Sequence, residues 1–202
     1  MEWIKRSYTD IKNGAEEGNL DAICALGICY SKGLGVTQDY KVAFDYFKKA
    51  AKGGDVEATF QMGVAYAHGF GVEQNFVESV KWLSSAAHQE HPGAQDSLGV
   101  RYATGQGVTQ NDREAIVWFT KAAEKGYGVA QFNLAIAYVQ GQGVPQDYYQ
   151  AYIWFSLAAL KGDSMAADSR DSVAECLEGK QQLEANKIIK EKLAKEMLAK
   201  PN

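Results

Sequence analysis

Apolar and small residues recur along this chain with helical spacing, and the pattern as a whole repeats every 36 residues. Ala22, Leu26 and Tyr30 are four residues apart, which places them on one face of a helix. The spacing predicts a helix A over about 21–32, ended by a Gly-x-Gly-Val segment because glycine adopts the left-handed conformation common at helix ends. A helix B is predicted to follow, and its expected buried face comprises Ala43, Tyr46, Phe47, Ala50 and Ala51.

Four copies of this helical hairpin align without an insertion. The positions that align best are a tyrosine late in helix A (Tyr30, Tyr66, Tyr102, Tyr138) and an aromatic residue in helix B (Tyr46, Trp82, Trp118, Trp154). We interpret the tryptophans as packing residues between repeats, because one hairpin cannot bury its apolar face alone and stacked hairpins can. The predicted organisation is a half-repeat at 1–20, repeats at 21–56, 57–92, 93–128 and 129–164, and capping helices at 165–202.

The start of each helix B carries a capping signal. Asp39, Asn75, Asn111 and Asp147 are good N-cap residues. Glu78, Glu114 and Gln150 stand three positions later and predict a capping box in three of the four repeats, whereas the first repeat has Val42 there.

A glycine in the middle of helix A is unfavourable by itself. Gly27, Gly63 and Gly99 occupy this register, where glycine costs about 0.5–1 kcal/mol relative to alanine. Their recurrence indicates that a neighbouring helix approaches too closely for a side chain, although Ala135 in the fourth repeat shows that a methyl group is tolerated there.

Composition excludes several classes of protein. The net charge of −4 gives no support for a nucleic-acid-binding surface, which is usually basic. No run of about 20 apolar residues occurs, so no membrane span is expected. Residues 1–6 lack the apolar core of a signal peptide. We therefore expect a cytoplasmic protein, with a periplasmic or secreted location as the alternative if a signal peptide had been removed.

The three cysteines do not form an evident disulfide framework. Cys24 and Cys29 are on different sides of one predicted helix, and Cys176 is left over. Reduced, buried thiols are expected, which agrees with a reducing compartment.

The repeat pattern resembles the Sel-one-like repeat family, which is related to the tetratricopeptide repeats. The consensus Ala-x3-Leu-Gly-x2-Tyr-x2-Gly-x-Gly-Val-x2-Asp-x3-Ala-x2-Trp-x3-Ala-Ala is matched over about 20–165, most closely in the copy from Ala130 to Gly162. The resemblance implies an all-α fold, a right-handed α/α superhelix (solenoid) of helix-turn-helix repeats. It also implies a scaffold or adaptor for protein complexes, with roles in bacterial signalling, host interaction or toxin immunity among the possibilities. Some cysteine-rich relatives are associated with β-lactam hydrolysis, an alternative disfavoured here because regular paired cysteines and a Ser-x-x-Lys motif are missing.

In the tetratricopeptide-like arrangement, helix A lines a concave surface. A protein or peptide partner is expected to bind there, with apolar contacts from residues such as Val64 and hydrogen bonds from residues such as Gln61. The alternative for Phe60 and Phe132 is packing between repeats. The predicted binding residues are Ile28, Lys32, Phe60, Gln61, Val64, His68, Asp96, Val100, Phe132, Asn133, Ile136 and Gln140.

No catalytic residue, cofactor or metal is predicted. His88 and His91 are three residues apart, a spacing that could hold a metal on one helical face, but no third ligand is evident and a solvated loop is the favoured interpretation. The Gly-x-Gly segments lack the preceding strand and the lysine of a phosphate loop. The amphipathic segment 180–199, with Ile189, Leu193 and Met197 on one stripe, is expected to cap a monomer, and a dimerisation helix is the alternative.

Overall fold

The computed structural model describes residues 3–198, and the regular elements of these residues are all helices. A short 3-10 helix at Trp3–Lys5 comes before the first α-helix. The α-helices are α1 (Tyr8–Glu16), α2 (Leu20–Lys32), α3 (Tyr40–Lys52), α4 (Val56–His68), α5 (Phe76–His88), α6 (Pro92–Thr104), α7 (Asp112–Glu124), α8 (Gly128–Gln140), α9 (Tyr148–Ala159), α10 (Ser164–Ala174) and α11 (Gly179–Leu198).

The helices alternate between the two predicted types. Helices α2, α4, α6 and α8 are the A helices, and α3, α5, α7 and α9 are the B helices. The predicted all-α fold of tandem helix-turn-helix repeats is therefore confirmed. The chain divides into two compact units: unit 1 contains the residues up to 94 together with 106–108, and unit 2 contains 95–105 and the residues from 109 onward.

Each helix B begins at the predicted N-cap, but the capping box does not form as predicted. The side chains of Asn75, Asn111 and Asp147 accept the backbone N–H three positions later, as expected. The N-cap backbone N–H, however, donates to the carbonyl oxygen of the recurring tyrosine in helix A at 2.9–3.0 Å in all four repeats. Because the tertiary contact has already satisfied this donor, the glutamate side chain is not needed, and Val42 serves the first repeat equally well.

The mid-helix glycines lie where the prediction requires a close approach. A Cβ atom added to Gly27, Gly63 or Gly99 would come 2.7 Å from a side-chain carbon of Phe47, Leu83 or Phe119, respectively. These three large residues occupy one register of helix B, so the same pair of positions sets the helix spacing within the first three hairpins. The tight packing confirms the steric interpretation of the recurring glycine.

The recurring tryptophans are packing residues, and the contacts between repeats assigned to them stay a prediction. Trp118 and Trp154 are buried, and Trp82 packs against the core of unit 1.

The cysteine prediction is correct for two of the three thiols. Cys24 and Cys29 are buried and unpaired, but Cys176 is exposed because it lies in the turn after α10 and not on a packed helix.

Helix α11 packs within its own chain. Its residues Ala185 and Ile189 are buried in the unit 2 core, and the Lys192 ammonium lies 4.4 Å from the centre of the Trp154 ring. Glu196 accepts hydrogen bonds from Lys161 and from the Gln131 amide. The predicted stripe is thus only partly used, since Met197 remains 76% exposed.

Candidate protein-binding surfaces

Unit 1 contains a pocket of about 200 Å³ between α2, α3 and α4. We call it the aromatic pocket. The predicted binding residues Lys32, Gln61 and Val64 line it together with Ser31, Tyr40, Ala43, Phe44, Phe47, Ala65 and Phe70. The floor is apolar because Ala43, Phe44, Phe47 and Ala65 are buried core residues, whereas the rim carries an ammonium group and an amide. Such a recess suits an apolar side chain whose neighbours make polar contacts.

Three rings at this pocket form a partly exposed stack. The Tyr40 and Phe70 rings are 4.6 Å apart at an interplanar angle of 10°, and the His68 ring lies 5.2 Å from Phe70 on the other side. Tyr40 and Phe70 remain 38% and 39% exposed despite this contact. The Gln38 amide donates a hydrogen bond to the Tyr40 hydroxyl at 3.0 Å. The same amide also donates to the Ser31 carbonyl oxygen.

The sequence prediction did not include Tyr40 and Phe70. They lie at the start of helix B and in the turn after helix A, outside the helix A face on which the binding residues were expected. A signal was present, because the equivalent positions two repeats later carry the polar residues Asp112 and Gln142. The fold therefore does not need aromatic residues at this junction.

The other predicted residues of unit 1 have different environments. Ile28 is only 4% exposed and belongs to the core cluster, so its inclusion among the binding residues was wrong: the side chain points into the hairpin packing. Phe60 stacks on His91 with ring centres 4.6 Å apart, which favours the packing alternative for this residue.

His91 lies at the centre of a hydrogen-bond network in unit 1, so the prediction of a solvated loop was wrong for this residue. Its Nδ1 atom accepts the Ala94 backbone N–H at 3.0 Å and so caps the start of α6. Its Nε2 atom lies 3.1 Å from a Glu57 carboxylate oxygen, and the Gln61 amide donates to the other oxygen at 2.7 Å. Burial alone would raise the pKa of Glu57, but the hydrogen bonds from His91 and Gln61 outweigh it and lower that pKa.

The capping role explains why histidine is suitable at this position. Asn19 and Asp55 occupy the same register and cap α2 and α4 with a side-chain oxygen. The imidazole supplies an equivalent acceptor and, on its far side, a donor for Glu57. His88, by contrast, is exposed at the end of α5 as expected.

In unit 2 the structure joins two predicted residues, Asp96 on α6 and Asn133 on α8. The Asn133 amide donates to an Asp96 carboxylate oxygen at 2.9 Å. Asp96 is 6% exposed, and burial raises its pKa to about 6 although the hydrogen bond from Asn133 acts in the opposite direction. We call this pair the Asp96 site.

The remaining predicted residues of unit 2 differ in accessibility. Phe132 makes an edge contact with the buried Phe155 of the same repeat, with ring centres 5.5 Å apart, so it is a packing residue within its repeat, and packing between repeats stays a prediction for it. Val100 and Ile136 are partly buried against the unit 2 core, and Gln140 is exposed at the end of α8.

The described part of the chain offers neither a clustered metal site nor a membrane span. Residues 3–198 contain no group of three or more histidine, cysteine or acidic side chains that could hold a metal ion. Among their helices, none is long and apolar enough to cross a membrane.

Comparison with solved structures identifies proteins with the same architecture. A protective antigen of uropathogenic Escherichia coli with an SLR fold is 30% identical, with a TM-score of 0.82 over 95% of this chain and 43% of that chain. A Sel1 repeat protein from Oxalobacter formigenes is 29% identical, with a TM-score of 0.76 over 87% of this chain and 73% of that one. An immunity protein from Pseudomonas aeruginosa is 22% identical, with a TM-score of 0.61 over 91% of this chain and 72% of that one, a likeness that extends to the fold alone.

Among curated proteins, none is similar enough to count as a match. This chain spans less than half the length of the E. coli antigen. The sequence model of the Sel1 repeat matches four consecutive segments, residues 20–55, 56–91, 92–127 and 128–163. With its helical hairpins in the same register, the chain belongs to the Sel1 repeat family, whose members are generally protein-interaction scaffolds.

Proposed function

We propose that this chain is a non-catalytic scaffold that binds a partner protein or peptide, and that the aromatic pocket of unit 1 is a main anchor point. The observation that carries the proposal is the exposed ring stack of Tyr40, Phe70 and His68 at the rim of the pocket. Aromatic residues beside a recess are common among the side chains that dominate protein–protein binding energy.

The repeats themselves provide the reason to assign a binding role to the rings. At the equivalent junction in unit 2 the two positions are Asp112 and Gln142, and the Gln110 amide lies 3.4 Å from the Asp112 carboxylate. Gln38 makes the corresponding contact with the Tyr40 hydroxyl. The same local structure thus forms with polar residues, although the Gln38–Tyr40 contact recurs as Gln146–Tyr148 in the fourth repeat. What distinguishes the first junction is the stack of Tyr40 on Phe70, two rings that stay exposed where polar residues are accepted, and we assign this stack to binding and not to folding.

The pocket also offers polar contacts at its rim. The Lys32 ammonium forms no ion pair within residues 3–198, and Gln61 uses its amide N–H to hold Glu57, which leaves its carbonyl oxygen as an acceptor. A partner segment that inserts an apolar side chain can therefore make polar contacts beside it, the combination that usually gives a pocket its specificity.

The chain supplies the substitutions for a test. Tyr40→Asp together with Phe70→Gln introduces the residues that the repeat already accepts at positions 112 and 142. We expect this double variant to fold normally, because an aspartate in the first turn of a helix interacts well with the helix dipole. We expect its affinity for bound partners to fall at least about tenfold, as for loss of a single binding hot spot.

The measurement is capture of proteins from a cell lysate on the wild-type chain and on the variants, with quantitative mass spectrometry. Val77→Gln is the matched control, because Val77 is a 54% exposed apolar residue of the same unit that does not line the pocket. Partners retained by Val77→Gln and lost by the double variant support the proposal. Partners that bind the double variant as well as the wild type contradict the placement of the anchor in the pocket.

The narrower variants of the proposal differ in the class of partner. A toxin held by this chain would make it an immunity protein, and a signalling or host protein would make it an adaptor. The same capture experiment separates them because it identifies the bound protein. No observation favours a hydrolase acting on β-lactams or cell-wall material over a binding scaffold.

A further inference from the structure

The Asp96 site contains a carboxylate whose burial is poorly compensated. Within residues 3–198, the Asn133 amide is the one hydrogen-bond donor to this carboxylate, and no charged neighbour contributes to the shift of its pKa. Burying an ionised carboxylate is unfavourable unless opposite charge or several donors replace the water that it loses. One neutral amide leaves most of this loss uncompensated.

The repeat does not require a carboxylate at this register. The equivalent residues in the other repeats are Cys24, Phe60 and Phe132, all of them less polar. In unit 1, the shielded carboxylate of Glu57 has two donors, His91 and Gln61. An acidic residue that lacks such support, at a register where apolar residues suffice, indicates a group that receives its second partner from outside the chain.

We propose that Asp96 and Asn133 bind a lysine or arginine side chain of the partner protein. The inference rests on the proposed function, since it names the chemistry of a second contact made by the same kind of ligand. A guanidinium group has five donors, enough to reach the Asp96 carboxylate and the carbonyl oxygen of the Asn133 side chain together. An ammonium group can make the same contacts as a point charge.

The surroundings fit the rest of such a side chain. Val100 lies one helical turn after Asp96, and Ile136 lies one turn after Asn133, so both are on the same helix faces as the polar pair. Both are partly buried hydrophobic residues packed on the unit 2 core. The methylene groups of a lysine or arginine side chain pack well on such residues while the charged end reaches a carboxylate.

The test uses peptide ligands that the chain itself selects. A displayed library of random peptides is selected on the full chain at pH 7.5, and the selected peptides are synthesised for calorimetric titration. We expect the binding peptides to share an arginine or lysine at one position. Asp96→Asn should weaken their binding at least tenfold, since this variant keeps an acceptor for Asn133 and removes the charge.

A double substitution cycle separates direct contact from indirect effects. Replacing the peptide arginine by citrulline, its neutral isostere, should weaken binding to the wild type by a similar factor and have no further effect on Asp96→Asn. A citrulline peptide that binds the wild type as tightly as the arginine peptide overturns the inference without any protein variant, so the inference can be refuted even if Asp96→Asn folds poorly. Asp168→Asn, which removes an exposed carboxylate of the same unit, is the control for overall charge and should bind within twofold of the wild type.

The outcomes distinguish the inference from the proposed function. Peptides that bind the wild type and Asp96→Asn equally, or whose citrulline and Asp96→Asn effects are simply additive, overturn the inference and leave the binding function in place. A library that yields no peptide specific for the wild-type chain overturns the inference and counts against the proposed function as well.

Discussion

Glu57 in unit 1 and Asp96 in unit 2 are both shielded carboxylates on A helices, but their neighbours differ. Glu57 receives hydrogen bonds from His91 and Gln61, and these lower its pKa in spite of burial. Asp96 receives one from Asn133, and burial raises its pKa to about 6. The first carboxylate is part of the structure's own hydrogen-bond network, whereas the second still has capacity for another partner.

The comparison shows how repeats with the same fold come to have different surfaces. The backbone hydrogen bonds within each hairpin and the small residues between its helices are common to the repeats. The two surfaces described above differ between repeats at a few positions of the A helices, of the turns and of the starts of the B helices, where one substitution changes the surface and not the fold. The ring stack at Tyr40 and the carboxylate at Asp96 are both of this kind.

The largest expected effect comes from breaking the network in unit 1. His91→Ala removes the cap of α6, the donor to Glu57 and the stack on Phe60. We expect the free energy of unfolding at pH 7 to fall by about 2–4 kcal/mol, from the usual values for these three interactions. Urea unfolding followed by circular dichroism measures the loss.

The control for this variant is His91→Asn, which restores a capping side chain of the type found at Asn19. We expect it to recover about 1 kcal/mol, the usual value of an N-cap, and not the remainder. A His91→Ala protein that unfolds at the same urea concentration as the wild type would show that the network contributes nothing to stability.

In unit 2, substitution of Asp96 is expected to raise the free energy of unfolding, whereas substitution of His91 in unit 1 lowers it. The pKa of Asp96 is about 6 in the folded chain, against an ordinary value of 3.8, so the folded state binds more protons than the unfolded state between these values. The contribution of Asp96 to stability is therefore complete below about pH 4 and is lost as the pH rises through 6. Asp96→Asn should increase the free energy of unfolding at pH 7 by about 1–3 kcal/mol.

The measurement for Asp96→Asn is the difference in unfolding free energy between variant and wild type at several pH values. The gain should be largest at pH 7 and should disappear near pH 4, where the wild-type carboxyl is protonated. An Asp96→Asn chain that is less stable than the wild type at pH 7 would show that the ionised carboxylate is well compensated within the chain.

The smallest effect on stability is expected from substitution of Gln61, the second hydrogen-bond donor to Glu57. Gln61→Met keeps the size of the side chain and removes one hydrogen bond to the carboxylate. The pKa of Glu57 should rise, because a bond that stabilises the charged form is lost, and stability at pH 7 should fall by about 1 kcal/mol. An NMR titration of the Glu57 carboxyl in wild type and variant follows the change, and an unaltered pKa would assign the lowering to His91 alone.

The fold could be predicted closely from the sequence because its determinants are local and periodic. The residues that end helix A and begin helix B were identified correctly, and so was the steric role of Gly27, Gly63 and Gly99. The candidate site was predicted less well. Lys32, Gln61 and Val64 line the aromatic pocket, but Tyr40 and Phe70 were missed and Ile28 is buried.

The sequence by itself determined the period, the helix boundaries and the capping residues, since each depends on the nearest few residues along the chain. Only the tertiary structure decided which donors and acceptors meet between hairpins. His91 reaches Glu57 across 34 residues, and Asn133 reaches Asp96 across 37. Whether these carboxylates are well or poorly compensated depends on the distance and angle between neighbouring hairpins. Helical periodicity carries no information about either quantity, so the functional difference between the two carboxylates emerges only in the folded chain.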